Sequence, residues 1–286
     1  EAQGLDNPGQ GIAFVRAWLD HFAVRKEDRV FLLAQHHDRP VMLLPLQRTR
    51  SMGLSAVTWL TGDHLGMSAP LIDKAAFAMM TNFDRHQLWS RMIQLPLDAD
   101  TINLSNVPID IALLTGLSAF FASIPAADRV FRARFANWEA CDGAQRNKHR
   151  RKIDRQQGAK LDALGEVRFD TIRAGEDADT VIDTMFAQKA ARFREQGIPD
   201  PFVPPRVRDF YKDVFHSAGG VLHVLQLNGE IIAVRYNLPA DGGLFCLISS
   251  MTTCGTTQAG SPGKQGLLRV MQTAFEDGHT FLDMGR

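Results

Sequence analysis

The sequence lacks the features of several large protein classes. No run of about eighteen apolar residues occurs, so a membrane-spanning helix is not predicted, and the first residues do not form a signal peptide. The 32 basic and 32 acidic side chains leave no net charge. That balance argues against broad attraction to nucleic acid. Three cysteines without metal-type spacing indicate a reducing compartment, so we expect a cytoplasmic protein without a metal site.

Two common nucleotide-binding motifs are also missing. No G-x-G-x-x-G follows a first strand with an acidic residue about twenty positions later, so the dinucleotide-binding fingerprint is absent. The pair Gly263-Lys264 lacks the upstream glycine and the following Ser or Thr of a P-loop. A phosphate ligand would therefore bind through a loop of another kind.

Length and composition predict two globular domains. The chain has 286 residues, and 45% of them are hydrophobic, which is enough for two domains with separate cores. We place the boundary between residues 138 and 139. We also expect the ends to be truncated, because a helix is predicted almost at once and the last predicted strand directly precedes the end.

The first half of the chain reads as α-β-β-β-α-β-α-β. Its first helix has an apolar stripe at Val15, Trp18, Leu19 and Phe22, which is typical of a helix with one buried face. The predicted helices are 12–24, 84–93 and 109–123, and the predicted strands are 30–35, 40–47, 56–60, 101–104 and 129–136.

The second half opens with a basic helix and then reads as β-α-α-β-β-β-α-β. Asn228-Gly229 predicts a tight hairpin turn, because both central residues of such a turn need positive φ. Ser261 and Pro262 are a good N-cap and a good first residue for the last helix. The predicted helices are 146–165, 178–195, 206–218 and 262–277, and the predicted strands are 166–172, 221–227, 230–237, 244–250 and 280–284.

This order of elements, with a small-residue turn into a helix after the fourth strand, resembles the GNAT acyltransferase fold. Its approximate repetition in the first half resembles the duplicated, Fem-type arrangement. The second half also looks like the CelD-like branch, named for cellulose biosynthesis. The segments that carry the resemblance are 150–155, 189–193, 227–233, 261–263 and 278–285, with 7–8, 18–19 and 104–108 in the first half. The resemblance implies a mixed α/β fold with two tandem GNAT-like domains and a donor site in the C-terminal one.

The resemblance also implies a reaction. A GNAT enzyme transfers an acyl group from acetyl-CoA or another acyl-CoA to an amine, which suggests an amino sugar or a lipid-linked intermediate of exopolysaccharide or envelope biosynthesis. The alternatives are a long-chain acyl donor with a sphingolipid-like amine, a Fem-like aminoacyl-tRNA donor, and an inactive relative that regulates a polysaccharide synthase. The usual pyrophosphate signature is not present as such, and residues 258–263 only approach it.

Acyl transfer from a thioester places modest demands on side chains. The leaving thiol has a pKa of about 8.5, so the thiolate leaves with little help. An acceptor ammonium has a pKa of about 10 and must first lose its proton. The enzyme positions the reactants, removes that proton and stabilises the oxyanion. We expect the backbone amides of Ile248, Ser249 and Ser250 to polarise the thioester. Glycines and free amides at a helix start attract phosphate, so the predicted cofactor loop comprises Ser261, Gly263, Lys264, Gln265 and Gly266.

Three residues of the second half are candidate catalytic groups. Asp283, at the end of the last strand, is the first candidate for the base, and its alternative role is to cap a loop or to pair with an arginine. His223 lies on an apolar strand, where histidine is more often a core residue than a catalyst. Tyr236 is a candidate for reprotonating the thiolate, and packing is its alternative.

Five polar residues are candidate substrate ligands. Lys189 and Arg192 are three apart on one helix face and suit coenzyme or sugar phosphates, although a solvated face is the commoner role. Arg235 and Asn237 share one strand face, opposite Tyr236, and suit an acceptor site. Arg151 belongs to a basic run, 146–155. We expect this run to face an acyl carrier protein, a phospholipid surface, a nucleotide sugar or solvent. This run also suggests association with the inner membrane surface.

Overall fold

The computed structural model describes residues 7–36, 38–62, 66–125, 129–175 and 177–285, which form two compact units. The contacts divide the chain after Arg129, whereas the sequence-based boundary lies after residue 138. Each unit has a mixed sheet of its own. Within the described ranges, no helix is both long enough and apolar enough to cross a membrane.

The first unit builds its sheet in the order β1-β2-β3-β5, and β4 pairs with β2. Strand β3 is parallel to β5, and the other pairs are antiparallel. The strands are β1 (Arg29–His36), β2 (Arg39–Ser51), β3 (Leu54–Trp59), β4 (Leu71–Ile72) and β5 (Thr101–Asn103). The helices are α1 (Ile12–His21), α2 (Lys74–Met79), α3 (Asn82–Ile93), α4 (Ile109–Leu114) and α5 (Leu117–Phe120), with short 3-10 helices at Pro8–Gln10 and Lys26–Asp28.

One core of the first unit lies between its sheet and helix α3. Trp89 of α3 is fully buried among strand residues that include Leu44 and Leu46. Its indole N–H donates to the carbonyl of Thr115 at 2.8 Å, so the polar atom of this large side chain is satisfied inside the core. The helix starts at a capping box in which Thr81 and Asp84 satisfy each other's backbone amides.

The second unit builds a sheet in the order β6-β11-β10-β9-β8-β7. Strands β10 and β11 are parallel, and the other pairs are antiparallel. The strands are β6 (Arg132–Arg134), β7 (Val167–Ile172), β8 (Val221–Leu227), β9 (Glu230–Ala240), β10 (Gly243–Met251) and β11 (Phe281–Asp283). The helices are α6 (Trp138–Gln145), α7 (Lys148–Asp162), α8 (Asp177–Gln196), α9 (Pro205–Ser217), α10 (Gly255–Gln258) and α11 (Pro262–Glu276).

The central hairpin of this sheet forms as its sequence predicts. Asn228 and Gly229 adopt φ values of 51° and 81°, which are the positive values that the two-residue turn requires. The Asn228 side chain also accepts from the amide of Glu166 at 2.9 Å and donates to the carbonyl of Leu164. The turn is therefore bonded to the loop that precedes β7.

Several elements differ from the prediction for local reasons. The helix expected over 109–123 is interrupted at Gly116, whose φ of 74° is left-handed. The strand expected over 129–136 is only Arg132–Arg134, and it pairs with β11 of the second sheet rather than with the first sheet. The short elements β4, α2, α6 and α10 were not predicted.

The predicted basic helix, 146–165, is present as α7 but begins two residues later, at Lys148. Arg146 is the C-cap of α6, with extended backbone, and Asn147 is the N-cap of α7. The Asn147 side chain accepts from the amide of Arg150 at 2.9 Å, so a favourable cap residue starts a new helix at this point.

Candidate active site

The edge of β10 that faces β11 is open over its second half. The two strands pair only over Gly243–Phe245 and Phe281–Asp283, where β11 ends. On its other edge, β10 continues along β9 to Met251, with a shift in register between Cys246 and Ile248. The edge of β10 after Phe245 therefore has no partner on the β11 side within the described residues.

The alternation of hydrogen bonds shows which amides of β10 face this opening. The amide of Thr252 donates to the carbonyl of Ile232 at 2.9 Å, in the same register that pairs Ser250 with Val234. In an antiparallel pair, every second residue bonds to the neighbouring strand, and the residues between them direct their amides to the other edge. Of the three predicted amides, those of Ile248 and Ser250 therefore face β9, and that of Ser249 faces the opening, as does that of Met251.

A cavity of about 340 Å³ surrounds this open edge. Its lining comes from both faces of the sheet. On one face, Ser249 pairs across the strands with Arg235, which pairs with His223, and helix α11 covers this face. On the other face, the hydroxyl of Ser250 donates to Gln188 of α8 at 2.7 Å. The cavity therefore connects α8 and α11 around a strand edge with free amides.

Helix α11 begins beside the cavity, but its start differs from a simple cap. Pro262 is the first helical residue, as predicted. Ser261 occupies the N-cap with left-handed backbone (φ 52°), and its side chain makes no capping hydrogen bond. Gly263 and Lys264 line the cavity. The amides of Lys264 and Gln265 both donate to the Ser261 carbonyl at 3.0 Å, and Pro262 has no amide. The amide of Gly263 is therefore left at the positive end of the helix dipole, where it suits an anion.

The glycines of this loop mainly allow close packing. A Cβ at Gly260 would lie 2.4 Å from Cγ of Leu161 in α7. At Gly263 it would lie 2.9 Å from Sδ of Met251, and at Gly266 it would lie 3.7 Å from Cβ of Ala233. Gly263 and Gly266 still line the cavity, whereas Gly260 is covered by α7.

Lys264 and Gln265 connect α11 to α7. The ammonium of Lys264 contacts the buried carboxylate of Asp154, which also accepts from Arg146 at 3.1 Å. The side-chain amide of Gln265 donates to the backbone carbonyl of Asp154 at 2.8 Å. Burial alone would raise the pKa of Asp154, but the two cations outweigh it and hold this pKa below its ordinary value. Gln265 is itself buried, so its side chain serves the helix contact.

His223 is a neutral imidazole inside the cavity wall. Only 3% of its surface is exposed, and it stacks on Phe169. Burial, together with nearby cations, lowers its pKa to about 4. The side-chain amide of Asn237 donates both to the Arg235 carbonyl (3.1 Å) and to Nδ1 of His223 (2.9 Å), which assigns the imidazole proton to Nε2. His223 is therefore a hydrogen-bond donor rather than a free base at neutral pH.

Arg235 and Asn237 occupy the same strand face, as predicted, but only Arg235 lines the cavity. The guanidinium of Arg235 donates to Sγ of Cys246 at 3.5 Å. Burial raises the pKa of the Cys246 thiol, and the guanidinium opposes that rise. No sequence pattern singles out Cys246, whose position depends on the register shift in β10.

Lys189 and Arg192 of α8 both line the cavity. The ammonium of Lys189 lies over the rings of Phe193 (5.0 Å) and Phe202 (5.9 Å). Burial lowers its pKa, and Asp200 and Cys246 oppose that shift without cancelling it. Arg192 is exposed and lies 3.6 Å from Glu195. The structure thus brings these two predicted ligands together with Arg235 and Lys264.

Asp283 is buried and fully engaged. Its carboxylate accepts from Nε and Nη2 of Arg132, both at 3.0 Å, and from the amide of Gly285 at 2.9 Å. It is not among the described residues that line the cavity. This geometry corresponds to the alternative role, pairing with an arginine, and provides no free oxygen for a base.

Tyr236 and the basic helix lie away from the cavity. The Tyr236 hydroxyl is buried and donates to the carbonyl of Tyr211 at 2.8 Å, and burial raises its pKa well above the ordinary value. Arg151 pairs with Asp142 at 2.8 Å. The exposed basic residues of α7 are Lys148, Arg150, Lys152, Arg155 and Lys160. Within the described ranges, no group of three His, Cys, Asp or Glu side chains is placed to hold a metal ion.

Comparisons with known proteins agree with this geometry. Residues 147–286 match the model of the acetyltransferase (GNAT) domain family. A comparison with curated protein sequences gives no significant match. Three solved structures show a similar fold at low sequence identity.

FemX superposes with a TM-score of 0.61 at 10% identity, over 99% of this chain and 88% of FemX. L-PGS from Bacillus licheniformis gives 0.52 at 12% identity, over 99% and 77% of the two chains. The C-terminal domain of a putative lysylphosphatidylglycerol synthetase from Agrobacterium fabrum gives 0.50 at 11% identity, over 95% and 76%. The predicted mixed α/β, GNAT-like fold is confirmed. Residues 147–286 thus match an acetyltransferase (GNAT) domain, and this match supports an acyltransferase.

Proposed function

We propose that the second unit transfers an acyl group from acyl-CoA to the amine of an amino sugar or lipid-linked intermediate of exopolysaccharide or envelope biosynthesis. The observation that carries the proposal is the open edge of β10, where the amide of Ser249 faces a cavity that also includes the start of α11. GNAT domains use acyl-CoA as co-substrate. Acetyl-CoA is the simplest donor of this class.

The residues of the cavity suit such a donor. The first turn of α11 offers the amide of Gly263 and the ammonium of Lys264 to the pyrophosphate. The cavity volume is within the range of about 300–1,000 Å³ that is usual for ligand sites. Coenzyme A supplies the activated thioester, and the protein supplies the position and the hydrogen-bond donors.

The chemistry follows from these positions. The acceptor nitrogen attacks the thioester carbon, a C–N bond forms, the C–S bond breaks, and coenzyme A leaves as a thiolate. The amide of Ser249 donates to the oxygen on which negative charge develops. Water removes the proton that the nitrogen loses, because Asp283 and Tyr236 are already hydrogen-bonded away from the cavity, and His223 in the cavity wall carries its proton on Nε2 and has a lowered pKa.

A lipid amine acylated by a long-chain donor is a second candidate acceptor. It is supported by the fold shared with the putative lysylphosphatidylglycerol synthetase, whose name describes a phospholipid product. The exposed cations Lys148, Lys152 and Arg155 of α7 suit either the anionic surface of the inner membrane or an acyl carrier protein. The proposed location is the cytoplasm, at the membrane surface. Membership of the CelD-like branch remains part of this proposal.

The proposal is tested by thermal unfolding with coenzyme A, acetyl-CoA and a long-chain acyl-CoA. A ligand that binds only the folded state at 100 times its dissociation constant stabilises it by about 2.7 kcal/mol, which raises the unfolding temperature. ATP at the same concentration is the control for general anion binding. No shift with any thioester at millimolar concentration would contradict the acyl-CoA donor and favour a carrier-bound donor or an inactive regulator.

A further inference from the structure

The cavity of the second unit has cations on both faces of the sheet. Arg235 and Lys264 belong to the face that α11 covers. Lys189 and Arg192 belong to α8, which packs on the opposite face through Gln188 and Ser250. The two pairs of cations are thus separated by the open edge of β10.

Negative charge is scarce around these cations. None of the described residues that line the cavity is acidic. Lys264 is paired with Asp154, and the contact of Arg192 with Glu195 is a loose one between exposed groups. Within the described ranges, Asp200 is the carboxylate that raises the pKa of Lys189, and burial outweighs this effect, so that the pKa is lowered.

A partly buried ammonium without a close carboxylate is unfavourable, because burial removes water from the charge. Lys189 is in this position, held between the rings of Phe193 and Phe202 and directed by α8 to the cavity. An anion bound beside it would restore the lost interaction. The same anion can reach Arg192, because residues three apart share one face of a helix.

The phosphates of acyl-CoA suit one of the two pairs of cations. Coenzyme A carries a pyrophosphate and a ribose 3′-phosphate, and the pantetheine arm separates both groups from the thioester. The start of α11 with Lys264 suits this end of the donor. The thioester must then lie at the amide of Ser249, between the two faces. The cations of α8 remain for a second ligand that approaches the thioester from the other face of the sheet.

From this arrangement we infer that the acceptor is an amine that also carries an anionic group, and that Lys189 and Arg192 bind this group. The inference rests on the proposed function, since it assigns the second substrate of the same cavity. It limits the acceptor to phosphorylated or carboxylated amines, including an amino sugar phosphate or the head group of a lipid. A neutral amine such as an unmodified amino sugar lacks the group that α8 would bind.

The test measures binding of small amines to the full chain saturated with coenzyme A. The three ligands have a similar amine but differ in the group beside it. O-phosphoethanolamine carries a phosphate, glycine carries a carboxylate, and ethanolamine carries no anionic group. Each is titrated at constant ionic strength, and binding is followed by calorimetry. The variants are Lys189→Met and Arg192→Met. Arg194→Met is the matched control, because Arg194 is an exposed cation on the same helix that does not line the cavity.

We expect O-phosphoethanolamine to bind and ethanolamine not to bind. Lys189→Met and Arg192→Met should each weaken this binding at least ten-fold, and Arg194→Met should leave it within two-fold. Binding of glycine as well would extend the site to carboxylates, and its absence would restrict the acceptor to phosphates. The affinity for coenzyme A should be unchanged in all three variants.

Four results would overturn the inference: equal binding of ethanolamine, no binding of either anion, an equal loss in Arg194→Met, or a ten-fold loss of coenzyme A affinity in the α8 variants. The last result would assign these cations to the donor. Failure of the proposed function is recognised separately, because coenzyme A itself would then not bind. The same titrations without coenzyme A would in that case still show whether Lys189 and Arg192 hold an anion.

Discussion

Burial decides what an ion pair contributes in this protein. Asp283 is 2% exposed and pairs with Arg132 through two hydrogen bonds. Asp277 pairs with Arg173, but both side chains are at least 40% exposed. Exposed pairs contribute about 0–1 kcal/mol, whereas removal of one partner of a buried pair leaves an uncompensated charge. The two aspartates therefore form a matched set for mutation.

We predict that Asp283→Asn lowers the free energy of unfolding by about 2 kcal/mol, because the buried position 283 would lose its charge-assisted hydrogen bonds with Arg132, whose side chain is 24% exposed. Asp277→Asn should cost less than about 1 kcal/mol. Denaturant unfolding of the two variants measures both values. If Asp283→Asn kept its stability and lost turnover with donor affinity intact, the residue would be the base and its structural role would be secondary.

Two substitutions separate the amide of Ser249 from its hydroxyl, because Ser249→Pro removes both groups and Ser249→Ala removes the hydroxyl alone. Proline at this position has no N–H, and it is tolerated at a strand edge that bonds to no neighbour. We predict that Ser249→Pro lowers turnover by about 10²-fold or more, as loss of an oxyanion donor does, and that coenzyme A affinity changes little. Ser249→Ala keeps the amide and should retain turnover. Equal activity in both variants would exclude the amide from catalysis.

His223 makes stability depend on pH in a defined direction. Its pKa is about 4 in the folded chain and about 6.5 when exposed, so below pH 6.5 the unfolded chain binds a proton that the folded chain does not. Stability should therefore fall by up to about 3 kcal/mol as pH decreases from 6.5 to 4. His223→Gln should flatten this part of the curve, measured by urea unfolding. Replacement of the exposed His149 is the control and should leave the slope unchanged.

The roles of individual residues were harder to predict from the sequence than the helices and strands. The ion pair between Arg132 and Asp283 joins positions 151 residues apart, and nothing in the local sequence of either residue indicates the other. Lys264 follows a glycine at a helix start, which suggests phosphate binding, but its Asp154 partner lies on another helix. Such pairs depend on tertiary packing, so the sequence could propose these side chains but could not assign their partners.

Elements with strong local signals were predicted well. The Asn228-Gly229 turn and Pro262 specify backbone angles directly, and the hairpin and α11 form at these positions. Strand β6 has only three residues and depends on pairing with β11, so periodicity could not reveal it. Helix α6 had a recognisable signal in Asn137, a favourable N-cap whose side chain accepts from Ala140.

Gly260 tests whether the loop before α11 needs glycine for packing or for a ligand. A Cβ at this position would collide with Leu161 of α7, whereas a Cβ at Gly255 would meet no atom within 4 Å. We predict that Gly260→Ala destabilises the protein by about 1–3 kcal/mol and that Gly255→Ala is nearly neutral. Addition of Leu161→Ala to Gly260→Ala should recover part of the loss. A loss of coenzyme A affinity without a loss of stability would contradict the packing role.

At the scale of the whole molecule, the order of elements carried most of the correct prediction. Two sheets, each with a parallel pair (β3 with β5 and β10 with β11), agree with the expected repetition, although the halves share no obvious sequence identity. Alternation of strands and helices survives such divergence, because it depends on the periodicity of apolar residues and on turn residues. Strand β6 was predicted as the last strand of the first half but belongs to the second sheet. The sequence pattern alone does not show which sheet a short strand joins.

The location of the donor site within the second unit predicts a localised response to ligand. Amides that gain a hydrogen bond or lose water exchange more slowly with deuterium, and those elsewhere change little unless the ligand alters global stability. With acetyl-CoA, we therefore expect protection in peptides that contain Ser249, Met251 and Gly263, and no comparable change in peptides from β1 to β3. The control is desulfo-coenzyme A, which keeps the pyrophosphate and lacks the thioester. It should protect Gly263 but not Ser249, because only the thioester carbonyl engages the β10 amide. Equal protection of both segments by the two ligands would mean that the Ser249 amide does not bind the acyl group.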